Sequence, residues 1–162
     1  MSRLQAEIRQ SKPFESLAEE ALLALARTND QLQRHYDKFF RAYDLTGTQY
    51  NTLRILRGAG DSGLPCSEIG ERMITRDPDI TRLLARLEQR GLCTRGRGDR
   101  DRRVILGRIT PAGLKLLREI DQPIQELGLR LMSHMGESRL RSLIRLLEKI
   151  RDTSKQATLS AQ

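Results

Sequence analysis

Residues 78–103 read PDITRLLARLEQRGLCTRGRGDRDRR. Within this stretch Ile80, Leu83, Leu84 and Leu87 fall at i, i+3, i+4 and i+7, which makes one apolar face of a helix. At about 100° per residue the opposite face holds Pro78, Arg82, Ala85 and Gln89, with Thr81 and Arg86 flanking it. Asp77 as N-cap with Pro78 at the first helical position marks the expected start, and the helix ends before Gly91. A face of hydroxyl, amide and guanidinium groups suits a major groove. Arginine can bond guanine O6 and N7, glutamine can pair with adenine, and alanine or a threonine methyl can touch thymine. Taken alone, the helix reads equally well as an amphipathic helix with a solvated basic side. The segment after it decides between the two. Leu92–Arg97 and Arg103–Thr110 are expected strands joined by a loop carrying Arg97, Arg100, Arg102 and Arg103. An arginine-tipped hairpin beside a helix of this kind is a wing that can reach a neighbouring minor groove, where narrow A·T-rich DNA attracts arginine. Asp99 and Asp101 would repel phosphate, so they read as braces for the neighbouring arginines.

Upstream, Leu64-Pro65 is expected to open a short helix through Glu68, Ile69 and Met73, and a turn at 74–77 then makes residues 66–90 a helix–turn–helix. Before that, Thr46-Gly-Thr-Gln49 is a capping-box pattern leading into Tyr50, Leu53 and Leu56, with Gly58, Gly60 and Gly63 as breakers. Residues 14–43 read as one long helix, and thirty residues would span about 45 Å, more than a domain of this size can cover alone. That excess points to a partner chain. Downstream, Thr110-Pro111 repeats the cap-then-proline signal and opens a helix with Leu114, Leu117, Ile120, Ile124 and Leu127, in which Pro123 should make a kink. Leu140, Leu143, Ile144, Leu147 and Ile150 form the stripe of a last helix, and the polar tail from Thr153 is expected to fray.

The charge follows the same map. The 162 residues carry 29 Lys and Arg against 21 Asp and Glu, a formal charge of +8 that favours polyanionic partners. From Arg72 to Arg108 stand eleven arginines, five acids and no lysine, so +6 of the +8 sits in under a quarter of the chain. Two cysteines, Cys66 and Cys93, are too few for a disulfide framework and fit a reducing compartment. No apolar run is long enough to span a bilayer, and residues 1–13 hold no stretch resembling a signal sequence. His35 and His134 stand without a metal-ligand cluster nearby, and no P-loop, nucleophile elbow or HExxH is present. We expect no cofactor, no metal and no catalytic activity.

The stretch from Asp79 to Leu92, then Asp101-Arg-Arg103 and Ile109-Thr-Pro-Ala-Gly113, resembles the MarR family of bacterial transcriptional regulators. The likeness extends upstream to Leu45-Thr46-x-x-Gln49-Tyr50 and Glu68-Ile69-x-x-Arg72-Met73 and covers about 45–113. It implies a mainly helical fold with a small β-wing: a winged helix–turn–helix lobe at 45–110, with residues 14–44 and 111–152 as a helical dimerisation lobe, in a single domain over 1–162. It implies a homodimer on a pseudo-palindromic operator in duplex DNA, usually a repressor released by a small effector, in the cytoplasm and without membrane association. By motif position Thr81 and Arg82 would read the major groove, Asp101 would brace the wing and Arg103 would enter the minor groove. The sequence departs from the family at Asp77-Pro78-Asp79, where small or hydroxyl residues are common. Those acids suit the helix dipole but oppose phosphate, and Asp79 could accept from cytosine N4. The family's redox sensors carry their cysteine on the first helix and its urate-responsive branch uses a tryptophan. This chain has neither. His35, Tyr36 and Phe39, on a helix that also carries Phe40 and Tyr43, are candidates for lining a pocket for an aromatic, anionic ligand, against the alternative of core or dimer seam. The competing reading of the whole is a basic helical adaptor or nonspecific architectural nucleic-acid-binding protein.

Overall fold

The computed structural model describes residues 2–75, 79–98 and 103–159, with side chains through Ser154. It divides into two compact units, Met1–Leu114 and Lys115–Gln162.

The first unit opens with a short helix α1 (Arg3–Glu7), whose N-cap Ser2 accepts from the Gln5 amide. Residues 1–13 had offered no periodicity to announce it, since five residues are too few to show one. The long helix α2 (Leu17–Arg41) follows. It is 25 residues rather than the thirty expected, and both ends have local causes. Ser16 caps it by accepting from the Glu19 amide at 3.1 Å. At the other end Asp44 turns to φ 53° and the Leu45 amide reaches back to Phe40 O at 3.0 Å, so the carbonyls of the last turn are satisfied and the helix stops. Thr46 and Gln49 then form the expected capping box of α3 (Gly47–Ala59).

After a 3₁₀ turn at 60–62, Leu64–Pro65 is a strand, β1, and the next helix, α4 (Cys66–Arg72), begins only at Cys66. This corrects the expectation that Leu64-Pro65 opens that helix. Two residues give no alternation to read, and they become a strand only because β3 lies beside them. The recognition-type helix α5 runs Ile80–Gln89. Its N-cap is Asp79, not Asp77: the Asp79 carboxylate accepts from the Arg82 amide at 2.8 Å. Asp77 and Pro78 lie outside the described residues. α5 closes on Gly91 at φ 68°, with the Gly91 amide bonded to Glu88 O and the Leu92 amide to Leu87 O, a turn that suits glycine because it needs a left-handed residue.

Strands β2 (Cys93–Arg97) and β3 (Ile105–Ile109) pair antiparallel as expected, from Cys93 opposite Ile109 to Arg97 opposite Ile105, and the sheet order is β1-β3-β2. Helices α3, α4 and α5 meet the sheet at Gly107. A Cβ there would stand 3.3 Å from side-chain carbons of Leu56, Ile69 and Leu84, three residues that are fully buried. Thr110 completes the unit: its hydroxyl donates to Gly91 O at 2.7 Å and accepts from the Gly113 amide, capping α6 (Pro111–Met132).

The second unit holds most of α6, a 3₁₀ turn at 133–135 and α7 (Glu137–Leu159). α6 continues through Pro123, and Leu117, Ile120 and Leu127 are buried. α7 stays helical to Leu159, so the tail expected to fray from Thr153 is in fact an extension of the last helix. Among the described residues no helix is long and apolar enough to cross a membrane.

Candidate nucleic-acid interface

Burial sorts the residues of α5 into two faces. Ile80, Leu83, Leu84 and Leu87 are buried, while Thr81, Arg82, Arg86 and Gln89 are exposed and Ala85 is half-buried. The apolar stripe thus turns the polar one outward. Arg82 and Arg86, one turn apart, line a shallow concavity of about 190 Å³ with Asp79 and Leu83. Asp79 faces its own helix start as a cap, so the acid that could have accepted from a base already accepts from a backbone amide.

The hairpin is fastened to this helix by a contact the sequence did not reveal. Glu88, on the last turn of α5, accepts the Arg95 backbone amide at 2.7 Å on Oε1 and the Arg95 Nε at 2.8 Å on Oε2. The paired guanidinium, together with that amide, holds the Glu88 carboxyl below its ordinary value of 4.5. Both side chains are only about one-third exposed, which makes the pair a two-point clamp between helix and wing. The signal available was the turn itself: a left-handed Gly91 reverses the chain, so a residue just before it faces one a few positions after it. Arg97 is exposed at the end of β2, and Gly98 donates to Val104 O at 2.9 Å, extending the hairpin one step beyond the ladder. Arg103 is exposed on the returning side. Pro78, Arg100, Asp101 and Arg102 lie outside the described residues.

The arginine-rich window is therefore not one uniform surface. Arg72 pairs with Glu68 at 3.0 Å, Arg95 with Glu88, and Arg108 donates to Asp61 O at 3.2 Å. Arg90 donates to the carbonyls of Tyr43 and Asp44. Among the described residues, Arg90, Arg95 and Arg108 thus join elements of the fold, while Arg72 pairs within its own helix. Besides these, Arg82, Arg86, Arg97 and Arg103 stand exposed on α5 and the hairpin among the described residues.

Away from this face, Phe40 is buried and its ring lies 4.6 Å from that of Tyr50, joining α2 to α3. Phe39 meets Phe40 edge-on at 5.3 Å, and Tyr36 stacks on it at 6.3 Å. Both are half-buried, and His35 is exposed. Cys93 is buried and its thiol donates to Leu84 O, and burial pushes that thiol up to about 11, so it is inert packing at neutral pH. Cys66 is half-buried. Among the described residues no group of His, Cys, Asp and Glu could hold a metal ion.

A three-stranded antiparallel sheet clamped to an exposed polar helix that comes soon after a short helix, α4, defines a winged helix–turn–helix protein. The MarR family profile matches residues 45–105. A solved MarR transcription factor from Planctomyces limnophilus is 40% identical, with a TM-score of 0.66 over 84% of this chain and 98% of that one. The chain belongs to the MarR family. The transcriptional repressor IacR of Pseudomonas putida is 28% identical over 126 residues, 78% of this chain and 74% of that protein. The PcaV transcriptional regulator of Streptomyces coelicolor, solved in complex with its natural ligand, is 25% identical with a TM-score of 0.72, covering 88% of this chain and 99% of that one.

Proposed function

We propose that this chain is a dimeric, sequence-specific regulator of transcription in the bacterial cytoplasm, a repressor released by a small ligand, with no catalytic role. The observation that carries the reading is the outward face of α5, where Thr81, Arg82, Arg86 and Gln89 stand exposed over a buried apolar stripe while Glu88 ties the wing beside them. In this arrangement α5 enters a major groove, Arg82, Arg86 and Gln89 meet base edges with Thr81 beside them, Arg97 follows the backbone and Arg103 enters the flanking minor groove. Pro78, Arg100, Asp101 and Arg102 are assigned to the same DNA-binding surface, with Asp101 as the brace that its motif position implies.

Repression and release fit a family in which IacR is a named repressor and PcaV binds a ligand. A ligand acts only through unequal affinity for the DNA-competent and incompetent geometries of the dimer. An aromatic, anionic compound lined by His35, Tyr36 and Phe39 is the form we assign it. We assign residues 14–44 and 111–152 to dimerisation and residues 45–110 to operator binding.

Selection of bound sequences from random duplex DNA tests the whole reading. We expect one enriched motif with two inverted half-sites, their centres about 10 base pairs or a multiple apart. Uniform binding to every duplex, with only a steep salt dependence, would leave a basic adaptor or architectural protein instead.

A further inference from the structure

The last turn of α5 holds a second fastening besides Glu88. The Arg90 side chain leaves the DNA-facing helix and crosses to the end of α2, where its guanidinium donates to Asp44 O and, at 3.4 Å, to Tyr43 O. Those carbonyls belong to the turn that ends α2, where Asp44 sits at φ 53° and the Asp44 amide bonds back to Arg41 O at 3.1 Å. A helix C-terminus presents carbonyls and the negative end of its dipole, so a guanidinium is the fitting cation for it. The fork of a guanidinium can reach two neighbouring carbonyls, which an ammonium does less well. Three residues in a row thereby divide the work: Glu88 binds the wing, Gln89 faces outward and Arg90 binds α2.

We infer that Arg90 is a positioning residue: it sets the pose of α5 against the long helix α2 and so governs discrimination between DNA sequences, without contacting DNA itself. The inference rests on the DNA-binding reading above. It separates Arg90 from its neighbours in the basic window by a physical criterion. An arginine on a phosphate releases counterions, so its loss lowers the salt slope of binding by about 0.9 per protomer and weakens all duplexes alike. A strut removed from behind the helix releases no counterion. It loosens the base-reading pose, which specific binding needs and nonspecific binding does not.

The test is titration of wild type, Arg90→Met and Arg97→Ala with the selected duplex and with a scrambled one, from about 50 to 200 mM salt. For Arg90→Met, which keeps an unbranched apolar stem, we expect the specific-to-scrambled affinity ratio to fall about tenfold, one charge-assisted hydrogen bond's worth, with the salt slope unchanged. Arg97→Ala should do the reverse, keeping the ratio while lowering the slope. If Arg90→Met does not fold, Arg90→Lys decides: one retained donor should give a smaller loss of ratio at wild-type slope. An unchanged ratio, or a lowered slope with both duplexes weakened equally, would overturn the inference. A wild-type chain that did not discriminate between the two duplexes would instead overturn the reading beneath it, and the inference with it.

Discussion

A single methyl group tests how closely the helices sit on the sheet. Gly107 has no left-handed φ, so a glycine there is favoured by close packing rather than by backbone conformation. A Cβ would be 3.3 Å from Leu56, Ile69 and Leu84 at once, and these side chains come from three different helices. Gly107→Ala should therefore cost about 1–3 kcal/mol, the usual penalty for adding a methylene to a filled core. Urea denaturation should show a lower midpoint at unchanged m, and wild-type stability would mean that three helices yield together. The arginines show where residue-level reading ended. Arg82 and Arg86 were legible because helical periodicity alone places them opposite Leu83, Leu84 and Leu87. Arg90 and Arg108 looked the same by charge, yet their partners lie 46 or 47 positions away in the chain, and no local pattern carries that information.

Elements were legible in proportion to their length and to their caps. α5, the β2–β3 hairpin and the Thr46 and Thr110 starts followed from periodicity and capping chemistry. β1 did not, because two residues acquire their identity from β3. The start of α5 also moved, since the sequence offers an aspartate at both 77 and 79 and the Arg82 amide donates to Asp79. What joins helix to wing is the Glu88–Arg95 clamp, and it has a pH signature. The Glu88 carboxyl is held below its ordinary value of 4.5 when folded, first by the Arg95 side chain and then by its amide. The contribution to stability is therefore complete above 4.5 and is lost as pH falls through the lower folded value. Glu88→Gln, which keeps an acceptor for the amide but no charge, should be less stable than wild type at neutral pH. The gap between their urea midpoints should narrow as the solution is acidified below 4.5. The pair is partly exposed, so the gap is small and shrinks with added salt. A gap that stayed constant into strong acid would show that the clamp owes nothing to ionic pairing.

For the molecule as a whole, each of its two units leaves large apolar side chains in water. In the first, Leu17 is 86% and Leu22 63% exposed on α2; in the second, Ile144 and Leu146 on α7 are 54% and 58% exposed. Single exposed leucines are ordinary, but several on each of two long helices, with Leu22 and Leu25 one turn apart on α2 and Leu146 and Ile150 one turn apart on α7, suit surface that is covered in an assembly. The sequence pointed to the same conclusion from length alone, because α2 at about 1.5 Å per residue outruns what its own lobe can cover. Burying one such side chain stabilises by roughly 1.5–3 kcal/mol, so placing a carboxylate in its stead should weaken association about tenfold or more. Leu22→Asp and Ile144→Asp should therefore each shift sedimentation toward monomer at a concentration where wild type is dimeric, while leaving the folded signal by circular dichroism in place. The two substitutions sit in different units, so they test separately whether α2 and α7 belong to one interface. If both release monomer and both steepen the concentration dependence of operator binding, the dimer is what spaces the two recognition helices. If Leu22→Asp alone does so, α7 lies outside the interface.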